Sequence, residues 1–167
     1  MLKKALISFS FSVALISSAM AGEGAALIDF QSLSPDMAHR LVNETITACR
    51  AEGYQVSVAV VDRGGNLQAL LRDQFAGPDT PETARLKART ALNFRTNTQE
   101  LMEQTKAGSP AAGLRHLPGI LVVGGGVTIE AAGKLVGALG VSGAPGGDRD
   151  EACALKGLEP IVEEIDF

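Results

Sequence analysis

Few residues in this chain are of types that do chemistry, and their spacing narrows the field further. There are two histidines, His39 and His116, two cysteines, Cys49 and Cys153, a single tyrosine and no tryptophan. An acidic cluster, Asp148, Asp150 and Glu151, follows the glycine-rich loop Gly143-Ala-Pro-Gly-Gly147. A glycine loop before a helix invites an anion, because free N–H groups at the helix start attract phosphate. Here three carboxylates occupy that place, and neither G-x-x-x-x-G-K-S/T nor G-x-G-x-x-G can be laid on the stretch. The run Gly140-Val-Ser-Gly-Ala144 falls short of a nucleophile elbow, since its second glycine comes one residue early. With both histidines distant in sequence, Ser142 reads as a strand-end serine. The carboxylates are oxygen donors of the kind a hard cation takes, but helix capping accounts for them better. Asp148 stands as N-cap with Glu151 three residues on, the acidic variant of a capping box.

The two cysteines allow either a disulfide in an oxidising compartment or two buried thiols. No C-x-x-C and no second Cys/His pair accompanies them, which excludes a structural zinc site. His39 falls at the edge of an apolar helical stripe, where a side chain can reach sideways into a cleft. His116 sits beside Arg115 in a loop and reads as exposed.

Several elements must position these groups. A helix begins at Ser34 with Pro35 at its first position and ends at Gly53, burying Ala38, Leu41, Val42, Thr45, Ile46 and Cys49. Gln55–Asp62 is a strand, Asp62-Arg-Gly-Gly-Asn66 a hairpin turn, and Leu67–Arg72 the returning strand. Thr80 caps a helix to about Asn93 whose stripe is Ala84, Lys87, Ala88, Ala91 and Leu92, and Thr98 caps a short helix through Lys106. After a loop to Pro118, Gly119–Val123 reads as a strand, then Val127–Glu130 and Leu135–Ser142, before the last helix. The end of the chain, with Glu159, Glu163 and Glu164, reads as a solvated tail. Glycines inside the last strand, Gly137 and Gly140, imply a neighbouring backbone or ligand at close range. Strands joined by short turns give an antiparallel sheet with helices packed on it, an α+β layering.

The first residues read as an export signal: Lys3 and Lys4, an apolar run from Ala5 to Ile16, and the A-x-A site Ala19-Met-Ala21. That run is too short to span a membrane. The expected organisation is a signal over residues 1–21 and one domain over 22–167, located in the periplasm. Loss of Lys3 and Lys4 takes the formal charge from −4 to −6. Such an acidic surface, with no basic stripe carrying aromatics, excludes a nucleic-acid partner.

The motifs GGVTI and LVGALGVSGAPGGDRDEACA, with VSVAVVDRGGNLQALLRD, FAGPDTPETARLKARTALNF and LPGILVVGGGVTI upstream, carry a resemblance. The chain resembles the GlcG/HbpS family of haem-degrading-domain proteins, which includes the C-terminal domain of PduO, from about Ser34 to Leu158. The resemblance implies a profilin-like five-stranded antiparallel sheet with helices on both faces, its first and last strands paired at the centre. It also implies haem or a related tetrapyrrole as cofactor, and ring-like homo-oligomers. Haem needs an apolar slot, an axial ligand and partners for its propionates. On that reading His39 is the iron ligand, because the PduO-type domain uses a histidine in this region, and His116 is a second candidate. Arg72, Lys87 and Arg115 are candidate propionate partners, each reading equally well as a surface charge. The cleft lies at the turns bearing Gly125, Gly126, Gly143 and Gly146. One departure is Asp79, where relatives often carry histidine, which puts any ligand role of that loop in doubt. Alternatives of other classes are an enzyme acting on a small hydroxy- or oxo-acid, since some relatives belong to glycolate operons, and an oligomeric assembly module. In the expected layering the last helix lies beside the first, which would bring Cys49 and Cys153 together.

Overall fold

The computed structural model describes residues 27–165, so the expected signal at 1–21 and the expected mature start at Gly22 lie outside the described residues. Helix α1 (Pro35–Ala51) starts as its sequence dictates: the Ser34 hydroxyl accepts the Met37 N–H at 3.2 Å, and Pro35 follows. Strands β1 (Ser57–Asp62) and β2 (Leu67–Arg72) form a hairpin. Its turn is tied by the Asp62 carboxylate, which accepts the N–H groups of Gly64 and Asn66 at 2.8 Å each. Helices α2 (Thr80–Phe94) and α3 (Thr98–Gln104) follow, then a short 3-10 turn at Ala112–His116, strands β3 (Gly126–Ala131) and β4 (Lys134–Ser142), and helix α4 (Gly147–Ile165).

The sheet is antiparallel with the order β2-β1-β4-β3. As expected, the first and last strands pair at its centre, Ser57 opposite Ser142 through to Asp62 opposite Gly137. Four strands are present among the described residues instead of five. Gly119–Val123, expected as a strand, is irregular because its amides are used locally. Leu121 N–H donates to Thr90 Oγ1 of α2 at 2.9 Å, and Val123 N–H to the Leu121 carbonyl at 3.1 Å.

Strand alternation sorts two unequal faces. Val56, Val58, Val60, Leu139 and Val141 join Leu41, Ile46 and Ile161 in the larger core, under α1 and α4. Ala59, Val61, Ala138 and Gly140 point the other way, toward α2. Small residues on that face let α2 approach closely: a Cβ on Gly140 would sit 2.8 Å from the Ala88 nitrogen and collide with the Ala84 carbonyl. On the first face α1 and α4 are joined by the Cys49–Cys153 disulfide.

Two helix ends differ from their expected form. α4 starts at Gly147, with the Asp150 N–H on the Gly146 carbonyl, so Asp148 is exposed and does not cap it. The expected tail after Leu158 is the last part of α4, and Glu164 there pairs with Arg40 at 2.6 Å.

Candidate functional site

The glycine turns around which the chain is organised close on a buried charge network. Lys87, on the α2 stripe, is 2% exposed. Its ammonium donates to Asp150 Oδ2 at 2.7 Å and to the Val141 carbonyl at 3.0 Å. The other carboxylate oxygen of Asp150 accepts the Ala144 N–H at 2.9 Å. Glu151 Oε2 accepts two backbone N–H groups, from Gly125 at 3.1 Å and from Gln99 at 3.0 Å. One charged cluster thus pins the start of α4, the entry to β3 and the start of α3 to α2. Burial pushes both carboxyls above their ordinary range. The Lys87 ammonium opposes the shift at Asp150, as the donated N–H groups do at Glu151.

These contacts revise the sequence expectations. Glu151 reaches across to α3 and β3 instead of closing a capping box. Among the described residues no three His, Cys, Asp or Glu side chains group as a metal would need, and the Asp150 and Glu151 carboxylates are taken up by Lys87 and backbone N–H groups. Nor do the turns open a cleft. A Cβ on Gly125 would lie 2.7 Å from the Val141 oxygen, one on Gly143 2.6 Å from the Gln55 oxygen, and one on Gly126 would strike the Lys87 backbone. Gly146 is pressed by the Asp148 carboxylate, 2.5 Å from where its Cβ would be. The close approach at Gly125, Gly126 and Gly143 is to protein backbone, and at Gly146 to the Asp148 side chain.

The other expected site residues are dispersed. His39 is exposed on the outer side of α1, its Nε2 3.4 Å from Asn43 Nδ2. His116 is exposed at the end of the 3-10 turn. Lys87 is committed to Asp150 and unavailable to a propionate. Arg115 turns back onto α3, donating to the Thr105 carbonyl at 2.8 Å and to the Met102 carbonyl at 2.6 Å. The Arg72 guanidinium donates to the Ala76 carbonyl. Ser142 is 7% exposed at the end of β4, and both histidines are on the surface. A haem slot does not assemble from these residues within one chain: His39 offers an accessible imidazole and one polar wall, with Asn43 and Glu44 exposed beside it.

A concave feature lies at the opposite extreme of chemistry, at the end of the sheet carrying the 62–66 and 131–134 turns. A groove of about 450 Å³ has Phe30, Leu33, Met37, Val136 and Ile165 among its walls. A second, of about 550 Å³, shares Phe30 and Gln31 with it and is bordered by Arg63, Arg95 and Lys134. Sequence reasoning missed it because its residues come from five separated segments that only the fold brings together.

Comparison with known proteins gives the chain its relatives. The family model described as haem degrading protein, HbpS-like, matches residues 33–159. The chain belongs to this family. Among HbpS-like relatives, Protein GlcG of Escherichia coli K12 is 33% identical over 110 residues, which is 66% of this chain and 81% of GlcG. A crystal structure of a double mutant of Streptomyces reticuli HbpS superposes with a TM-score of 0.77 at 34% identity, over 92% of this chain and 99% of that one. A crystal structure of a PduOC–heme complex superposes with a TM-score of 0.72 at 30% identity, over 77% and 94% of the two chains. The shared HbpS-like fold explains why the α+β layering and the central strand pair follow the resemblance so closely.

Proposed function

We propose that this protein is exported to the periplasm and binds haem or a related tetrapyrrole, with His39 as the iron ligand. The observation that carries the reading is membership of the HbpS-like family together with the likeness to PduOC, whose structure is a heme complex. His39 supports it locally, as an exposed imidazole whose nitrogens no acid or metal cluster occupies. One α1 surface makes one wall, so the slot is completed by a second copy of the chain. Bound haem would supply an iron centre with redox chemistry; this chain's part would be to present an imidazole nitrogen to it. The exposed leucines of the edge strand β2, Leu67, Leu70 and Leu71, at 47%, 39% and 39% exposure, favour self-association. They also support a second reading, an assembly module without a cofactor.

Haemin titration followed at the Soret band at about pH 7.5 tests the proposal. His39→Ala shifts or abolishes the band, and His116→Ala leaves it nearly unchanged. Unaltered binding by His39→Ala rejects the ligand, and no saturable binding by the wild type moves the assembly module to first place.

A further inference from the structure

The segment before α1 is stitched across both hairpins. The Ser32 hydroxyl accepts the Arg63 N–H at 3.2 Å and reaches the Val136 carbonyl at 3.5 Å. Leu33, 7% exposed, lies over Gly137, where a Cβ would come within 3.2 Å of its Cδ1. Fixed in this way, Phe30 and Gln31 form a wall common to two grooves of opposite character. The groove on one side is lined by Leu33, Met37, Val136 and Ile165, and the groove on the other by Arg63, Arg95, Lys134 and one acid, Asp29.

Among the described residues Arg63, Arg95 and Lys134 have no carboxylate within ion-pair distance, unlike Arg40, Arg50, Arg85, Lys87, Lys106, Arg149 and Lys156. Arg72, Arg89 and Arg115 also lack an ion pair, but Arg72 and Arg115 are engaged by backbone carbonyls, and it is Arg63, Arg95 and Lys134 that border one groove together. Arg95 also holds a left-handed backbone, φ 53°, at the end of α2, a position that ordinarily favours glycine or asparagine. Retaining an arginine there keeps a guanidinium at the rim of the groove. Each groove lies in the range of about 300–1,000 Å³ usual for small-ligand sites, and an apolar wall with a few convergent polar groups is their usual make-up.

We propose that the composite groove binds an aliphatic carboxylate. Its chain lies along Phe30, Met37, Val136 and Ile165, and its head is held among Arg63, Arg95 and Lys134. The flexible Met37 side chain suits an irregular apolar guest, and the guanidinium fork suits a carboxylate. The site is independent of His39 and of iron, so it stands or falls separately from haem binding.

The test is calorimetric titration of the disulfide-bonded protein with laurate and with the uncharged dodecanol. Laurate binds saturably and more tightly than dodecanol. The triple variant Arg63→Gln/Arg95→Gln/Lys134→Gln loses about tenfold in laurate affinity, the summed effect of three partly solvated charges, and keeps its dodecanol affinity. His39→Ala binds laurate as the wild type does, although haemin binding is lost. If the triple variant fails to fold, added salt in the wild type weakens laurate selectively, because it screens the same cations. Absence of saturable laurate binding overturns the proposal. So does equal binding of laurate and dodecanol, or laurate affinity indifferent both to the three charges and to salt.

Discussion

Lys87 puts an ammonium where a helix packed on a sheet ordinarily offers an alanine. With the ion pair 2% and 5% exposed at its two side chains, removing one partner leaves an uncompensated buried charge. Lys87→Met should therefore cost about 3–5 kcal/mol in urea unfolding, whereas Lys87→Met with Asp150→Leu should recover much of it. Glu151 gives a prediction in pH. Its folded pKa is raised by burial, so its favourable contribution is complete below the unfolded value of about 4.3 and is lost as pH rises through the folded value. Glu151→Gln does not titrate. The stability advantage of wild type over Glu151→Gln should be greatest near pH 4 and shrink toward pH 7, as urea midpoints will show. The sequence placed Lys87 on the buried stripe of its helix, and that was legible from spacing alone. Its partner was not, since Asp150 and Glu151 follow a glycine loop and look like caps. Only the 63-residue reach from Lys87 to Asp150 separates a cap from a counter-ion.

At the scale of elements, β4 and α2 meet through backbone. Gly140→Ala inserts a methyl against the Ala84 carbonyl and Ala88 nitrogen, neither of which can rotate away. Overpacking of this kind costs about 1–3 kcal/mol or more, and a lowered melting temperature measures it. Gly140 could be read as a close approach because a glycine weakens a strand unless something fills its space. Of the two occupants that reading allowed, a backbone or a ligand, it is the backbone of α2 that fills the space. The α1–α4 pairing followed from the layering that the resemblance implies, with Cys49 already on the buried stripe of α1. Gly157 completes that contact, where a Cβ would meet Thr45 Cβ at 2.8 Å. No pattern at Gly157 announced this, because a mid-helix glycine shows its use only once a second helix lies against it. The strand expected at Gly119–Val123 failed for a complementary reason: apolar residues suit a strand, but the Thr90 hydroxyl had already claimed an amide.

For the whole molecule, the Cys49–Cys153 bond is the longest covalent tie, spanning 104 residues. Closing a loop of that length removes much denatured-state freedom, and Cys49→Ala with Cys153→Ala should lower stability by about 2–5 kcal/mol. Intact mass before and after reduction verifies the bond, and denaturant unfolding with and without reductant measures its effect. The periplasm we propose is a compartment in which such a bond persists. Among the described residues no helix is long and apolar enough to cross a membrane.

The pairing of β1 with β4 sets the order in which a growing chain can settle. Val58 finds its cross-strand neighbour in Val141, so the middle of the sheet has to await nearly the last fifth of the polypeptide. Contacts so remote in sequence make compaction slow, since the ends must meet before any reward accrues. A chain slow to compact also keeps for longer the threadable form that the export we propose would require.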